Sequence, residues 1–172
     1  MGLTFLRHTT PDVAKGTCYG RTDLGLAATF EDELAQVLDG LPKVDRIVCS
    51  PLTRCRTLAE RVAQANGLTA QVVAGLTELD FGRWEMVPWN DIPRDELDAW
   101  AADFMGARPH GGESVQMLRD RVAGTIADLD AGTLVVTHSG VIRAAAAICD
   151  HPEGWEIDVK FGGCVRLERM AG

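Results

Sequence analysis

The sequence predicts an α/β fold: a three-layer sandwich in which a mixed, mostly parallel sheet carries helices on both faces and ends in a C-terminal antiparallel edge hairpin. Three observations lead there. The short apolar runs Leu3–Leu6, Ile47–Cys49 and Thr133–Thr137 are too brief for helices and read as strands buried on both faces. Segments with apolar residues at helical spacing lie between them. Trp155–Val159 and Val165–Glu168 alternate with period two on either side of Gly162-Gly163, the pattern of a hairpin at a sheet edge.

The first strand stops at Arg7 and His8, and the Pro- and Gly-containing stretch after it, through Lys15–Asp23, is a loop placed to wall a pocket. From Leu26 to Leu38, Phe30, Leu34, Val37 and Leu38 recur as one helical face, with Glu31, Asp32 and Glu33 near the positive end of the helix dipole. Val44–Ser50 is the next strand. Ser50 and Pro51 read as an N-cap and first-turn proline of a helix with Leu52, Leu58, Val62 and Ala65 inward, closed by Asn66-Gly67. Arg54 then sits beside a strand end at a helix start, where a guanidinium adds aligned donors to an anion site, whereas Arg56 reads as surface. Gln71–Val73 is a further strand. It leads into Leu76–Glu85, which mixes acids with Phe81 and Trp84, and then into Trp89–Phe104, whose irregular spacing predicts short helices capping the pocket. Glu113-Ser114 opens a helix with Val115, Leu118, Val122, Ile126 and Leu129 in one stripe. The strand Thr133–Thr137 ends at His138, and the small apolar residues from Val141 to Cys149 form a helix buried on most sides, with Ser139 as its cap.

With 172 residues and 46% hydrophobic content, one well-buried core is the economical reading, a single domain over 1–172. The net charge of −8 argues against a nucleic-acid partner, so any positive field is local. Without an apolar stretch of spanning length, and with the first strand directly after Met1, neither a membrane anchor nor a signal peptide is expected, which places the chain in the cytoplasm. The five cysteines, Cys18, Cys49, Cys55, Cys149 and Cys164, are scattered and odd in number, which argues for reduced thiols and against a zinc site. Neither metal nor cofactor is expected. Oligomeric state is left open, a homodimer included.

In sheets of this kind ligands lie beyond the carboxyl ends of the strands, where Arg7, His8, Arg54 and His138 all converge. A single histidine would be read as a satisfied core residue; two histidines and two arginines at three strand ends point to a site. Metal-free chemistry suited to them is phosphoryl transfer, with guanidiniums on the equatorial oxygens and one imidazole attacking in line to become a phosphohistidine. The other imidazole stabilises charge on the phosphoryl oxygens. A carboxylic acid near Phe81 and Trp84 would protonate the leaving alkoxide; Glu78, Asp80 and Glu85 compete for that role. Arg21 and Thr22 in the first loop, with Arg83 and Ser139, join Arg7 and Arg54 as candidate substrate contacts.

The stretches Leu6-Arg7-His8-Thr9, Tyr19-Gly20-Arg21-Thr22-Asp23, Cys49-Ser50-Pro51-Leu52-Thr53-Arg54-Cys55, Glu78–Glu85, Gly111-Gly112-Glu113-Ser114 and Val136–Arg143 resemble the histidine phosphatase (phosphoglycerate mutase-like) superfamily, in its order and over nearly the whole chain. The resemblance implies that His8 is the phosphorylated nucleophile, that Arg7, Arg54 and His138 complete the phosphate pocket, and that Glu78 is the proton donor. The Tyr-Gly-x-x-Asp loop, the Asp-Phe-Gly-x-Trp-Glu stretch and the short chain look like the alpha-ribazole phosphatase branch. That branch implies a phosphomonoesterase acting on a small phosphorylated metabolite, alpha-ribazole 5'-phosphate of cobalamin biosynthesis. The chain departs from the family pattern where Thr9 replaces the glycine after the catalytic histidine, Met86 replaces a frequent glycine, and Gly25 stands where proline is common. Thr9 bears on the orientation of His8, and Met86 on pocket shape. Two alternatives share the fold: a phosphoglycerate mutase-type transferase, and a non-catalytic phosphate-binding or interaction module. Serine hydrolysis through Ser139 lacks the G-x-S-x-G elbow.

Overall fold

The computed structural model describes residues 2–168. A five-stranded sheet has the order β3-β2-β4-β1-β5, formed by β1 (Gly2–Arg7), β2 (Arg46–Cys49), β3 (Ala70–Val72), β4 (Thr133–Thr137) and β5 (Cys164–Glu168). The pairs β2–β3, β2–β4 and β1–β4 are parallel, and β5 runs antiparallel to β1. Every residue of β4 is buried, as a continuous apolar run at the centre of a sheet covered on both faces requires.

Helices α1 (Phe30–Gly40) and α2 (Thr53–Asn66) pack on one face through Phe30, Leu34, Val37, Leu58 and Val62, against Leu6, Ile47, Leu134 and Val136. Helices α4 (Val115–Ala127) and α5 (Ser139–Ile148) cover the other through Leu118, Val122, Ile126, Val141 and Ile142, against Leu3, Phe5, Val48 and Val135. Alternate residues of each strand therefore feed opposite cores, which fixes the register of the sheet. No helix among the described residues is long and apolar enough to cross a membrane.

Several element boundaries differ from the sequence expectation for physical reasons. Helix α1 starts at Phe30, because Leu26 is held in an isolated bridge to Pro11, and Leu38 turns out to be exposed. Ser50 does not cap α2, which starts at Thr53. The cap comes from the loop between β1 and α1, where Asp23 accepts the Thr53 N–H at 2.7 Å and its hydroxyl at 2.8 Å. The stripe of α2 shifts accordingly: Cys55, Ala59 and Ala63 are buried, Leu52 partly so, and Ala65 faces solvent, while Gly67 closes the helix at φ 66° as expected. Ser139 is the first helical residue of α5 rather than its cap, a position taken by His138. Ser114 does cap α4, accepting the Met117 N–H at 3.1 Å.

The antiparallel edge is present as β5 on β1, but its expected hairpin partner is not a strand. Gly154–Glu156 is a 3-10 turn, and the segment after it buries Ile157 and Val159 while lending their carbonyls to arginines: Arg143 Nε donates to Ile157 O (3.2 Å) and Arg7 Nη1 to Val159 O (2.8 Å). The alternation was real burial, with side chains in place of a neighbouring ladder. Between β3 and α4 the chain makes 3-10 turns at Ala74–Leu76, Gly82–Trp84 and Trp89–Asp91 and then the short α3 (Arg94–Ala102). Glu96 ties α3 down, accepting from Trp84 Nε1 (2.7 Å) and Arg83 Nη2 (2.8 Å).

Met86 adopts φ 64°, the left-handed region, with its N–H donating to Cys18 O at 2.8 Å and its side chain 46% exposed. A residue with a Cβ is strained there by about 1–2 kcal/mol, of which glycine gives back about 0.5–1 kcal/mol through the entropy of the unfolded chain. A glycine at this position would adopt the same backbone without that strain. Met86→Gly is expected to raise stability by about 0.5–1 kcal/mol, read as a higher denaturation midpoint with unchanged m-value.

Candidate active site

The β1–β4 register builds the centre of the site. Arg7 pairs with Thr137, and the His8 N–H donates to Thr137 O at 3.0 Å, so the next step along both strands sets His8 beside His138. Their ring centroids lie 5.2 Å apart, edge to face at 63°. His8 Nδ1 is 2.7 Å from the carbonyl of Thr9. A carbonyl can only accept, so the proton of the neutral ring is on Nδ1 and Nε2 carries the free lone pair. Thr9 exerts this hold through its backbone, which any residue supplies; its departure from glycine leaves the hydroxyl Oγ1 buried without a partner among the described residues. Burial pushes the His8 pKa down to about 3; the Arg54 and Arg7 cations add to the effect and the Thr9 carbonyl opposes it. His138 is fully buried, and burial, reinforced by His8, Arg54 and Arg7, holds it well below the ordinary histidine value. Its Nε2 lies 2.8 Å from Ser50 Oγ, with Cys55 Sγ at 3.4 Å.

Two guanidiniums flank the imidazoles. Arg7 lies over the Phe161 ring at 4.0 Å, with Nη1 on Val159 O. Burial lowers its pKa, against Tyr19, Glu78 and Asp158, which raise it. Arg54, wholly buried, donates from Nη1 to Thr22 O (2.8 Å) and from Nη2 to Gly20 O (2.6 Å). The Nε atoms of both arginines are buried without a partner among the described residues. The loop that Arg54 grips by its carbonyls is gripped by its amides from the other side. Glu85 accepts from the N–H groups of Gly20 (3.0 Å), Arg21 (2.8 Å) and Thr22 (3.4 Å), from Thr22 Oγ1 (2.7 Å), and from Phe81 N–H (3.1 Å).

Glu78 closes the set. Its Oε1 accepts the Leu79 N–H and its Oε2 the Gly140 N–H near the start of α5, each at 2.9 Å. Burial raises its pKa, while the two amides, Arg54 and Arg7 pull it back. A Cβ on Gly140 would run into this carboxylate, so the close approach needs glycine. Of the three competing acids only Glu78 lines the adjoining cavity. Glu85 is committed to the loop amides, and Asp80 accepts Gly82 N–H (2.8 Å) and faces Arg21 at 3.8 Å.

The cavity, of about 420 Å³, is lined by Arg7, His8, Glu78, Ser139 and Arg143 at one end and by Phe81, Trp89, Trp100, Phe104 and Trp155 elsewhere. The structure thus brings Arg7, His8, Arg54, Glu78 and His138 together and puts Ser139 on the wall. It places Arg21, Thr22 and Arg83 elsewhere: the first two in the Glu85 clamp, and Arg83 outward on Glu96. Sequence reasoning missed Ser50, Cys55 and Arg143. Arg143 was within reach, since it follows Ser139 by one helical turn and shares its face; the contacts of Ser50 and Cys55 with His138 depend on strand order and carry no local signal.

Residues 3–169 match the profile of the Histidine phosphatase superfamily (branch 1). Among curated proteins, the adenosylcobalamin/alpha-ribazole phosphatase of Salmonella typhimurium (strain LT2) is 34% identical over 111 residues, 60% of this chain and 55% of that protein. The probable phosphoglycerate mutase GpmB of Klebsiella pneumoniae (strain 342) is 32% identical over 130 residues, 69% of this chain and 60% of that protein. The chain thus spans little more than half the length of these relatives. Among solved structures, mycobacterial glucosyl-3-phosphoglycerate phosphatase Rv2419c superposes with a TM-score of 0.82 at 25% identity, over 97% of this chain and 89% of that one. A phosphoglycerate mutase from Thermus thermophilus gives 0.80 at 28% identity, over 98% and 93%. With the profile matched almost from end to end, the chain belongs to the histidine phosphatase superfamily, branch 1.

Proposed function

We propose that the chain is a metal-independent phosphomonoesterase that works through a phosphohistidine at His8 on a small phosphorylated metabolite. The observation that carries this is the His8 ring: its Nδ1–H is fixed on the Thr9 carbonyl, which leaves the Nε2 lone pair free beside His138 and two guanidiniums. With a pKa of about 3 the ring stays neutral through the physiological range, so no proton has to be removed before attack. Nε2 attacks phosphorus in line, forming the N–P bond as the bond to the alcohol oxygen breaks. Arg7, Arg54 and His138 hold the equatorial oxygens while charge redistributes. Glu78, kept toward its acid form by burial, gives its proton to the leaving oxygen. The resulting carboxylate then takes a proton from the water that splits the N–P bond, releasing phosphate and restoring both residues.

The leaving alcohol has to suit the rest of the cavity. Trp89 and Trp100 lie nearly parallel at 17° with centroids 6.4 Å apart, and Phe81 meets both edge-on. Flat, apolar walls favour an alcohol carrying an aromatic ring system. That supports alpha-ribazole 5'-phosphate, a benzimidazole riboside, as the substrate, and so a place in cobalamin biosynthesis, as the name of the Salmonella relative suggests for that protein. A phosphoglycerate would leave the aromatic wall uncovered, which counts against a mutase.

His8→Ala is expected to lower phosphate release from p-nitrophenyl phosphate by about 10⁴-fold or more and to abolish labelling of the protein by a ³²P-substrate; retained labelling would move the nucleophile elsewhere. Glu78→Gln is expected to cost about 10²–10⁴-fold with alkyl phosphates and far less with aryl phosphates, whose leaving groups need no proton. Equal losses on both would remove Glu78 as the acid. In a turnover screen, alpha-ribazole 5'-phosphate is expected to exceed 3-phosphoglycerate in kcat/KM by about 10²-fold, since one buried aromatic ring is worth about 2–3 kcal/mol; parity would refute the aromatic-alcohol reading.

A further inference from the structure

His138 is a buried ring with two nitrogens, and which of them carries the proton decides what it can do for an anion. The sequence assigned Ser50 to a helix cap. The structure puts it at the carboxyl end of β2, its N–H on Val136 O (3.0 Å) and its hydroxyl 2.8 Å from His138 Nε2. Ser50 Oγ already accepts the Leu52 N–H at 3.3 Å. For the hydroxyl hydrogen, the acceptors in reach among the described residues are His138 Nε2 and the sulphur of Cys55. Sulphur is a weak acceptor and an imidazole nitrogen a strong one, so the hydroxyl goes to Nε2. Cys55 competes only weakly for the opposite assignment: burial keeps it a thiol, and its sulphur, 3.4 Å from Nε2 and 3.7 Å from Nδ1, is a weak donor and a weak acceptor beside a hydroxyl at 2.8 Å.

We propose that Ser50 is a positioning residue for phosphoryl transfer: by donating to His138 Nε2 it fixes the His138 proton on Nδ1, making that ring a hydrogen-bond donor to the phosphoryl oxygens. The proposal rests on the phosphatase reading for its kinetic consequence but not for its structural one. Both imidazoles then carry their proton on the same nitrogen with opposite effect. In His8 the N–H is spent on the Thr9 carbonyl and the bare nitrogen is left for phosphorus; in His138 the bare nitrogen is spent on Ser50 and the N–H is left for oxygen. With the other tautomer, His138 would turn a lone pair toward anionic oxygens, and a contact that stabilises the transferring group would become a repulsion. Serine thus does for the second ring what a backbone carbonyl does for the first.

The test is the tautomer itself. In ¹⁵N-histidine-labelled wild-type protein at pH 7, long-range ¹H–¹⁵N correlation is expected to show His138, assigned by its loss in His138→Gln, with a protonated Nδ1 and a bare Nε2. A protonated Nε2 there would overturn the proposal, and this reading needs no folded Ser50 variant. In Ser50→Ala, the His138 pattern is expected to move toward the Nε2–H form, and kcat with p-nitrophenyl phosphate to fall about 10- to 100-fold with KM changed less than about threefold. An unchanged tautomer with unchanged kcat would also overturn it. A wild-type protein that releases no phosphate from any ester would refute the phosphatase reading alone, leaving the spectrum to decide the role of Ser50.

Discussion

The site depends on the pairing of β1 with β4 in parallel and in one register. Arg7 opposite Thr137 puts two strand ends level, and the residue after each is a histidine. A slip of one residue would send every side chain of one strand to the other face and exchange the two cores, so the register is held by the burial of Leu3, Phe5, Leu6 and of the whole of β4. The rings meet because the hydrophobic effect aligned the strands behind them. The core is thus the part of the molecule that sets the catalytic distance.

Charge at this site is arranged by burial more than by pairing. The protein carries a net charge of −8, yet Arg7 and Arg54 are anchored on carbonyls, Val159 for one, Gly20 and Thr22 for the other, with the Nε of each left without a partner among the described residues. A carboxylate partner would have neutralised the field that a phosphate needs, whereas a carbonyl fixes the guanidinium and leaves its charge intact. That retained field, added to burial, keeps both imidazoles neutral. For Glu78 the two influences conflict: burial favours the acid, and the amides of Leu79 and Gly140 with both arginines favour the carboxylate. A group balanced in this way can both give and take a proton within one cycle.

Much of this was legible in the sequence, because it depends on local pattern. Buried strands announce themselves as short apolar runs, the α4 stripe as a 3.6-residue repeat, and the convergence of Arg7, His8, Arg54 and His138 follows from strand ends alone. What was not legible depends on partners distant in the chain. Ser50-Pro51 has the composition of a helix start, but the hydroxyl was claimed by a histidine on the neighbouring strand and the cap supplied by Asp23. Trp155–Val159 has the alternation of a strand, yet its carbonyls went to Arg7 and Arg143. Arg21 and Thr22 sit in a motif that reads as ligand-binding, and their backbone amides are what the fold uses, in a clamp whose acid lies more than sixty residues later.

That clamp separates the backbone of the loop from its side chains. Arg54 takes the carbonyls of Gly20 and Thr22 and Glu85 the amides of Gly20, Arg21 and Thr22, while the Arg21 side chain, 55% exposed, approaches Asp80 at 3.8 Å. Exposed pairs of that kind contribute little to stability. Position 21 is therefore a natural attachment point for a fluorescent reporter, one that rides on the rigid wall holding Arg54 and senses its surroundings without entering the reaction chamber.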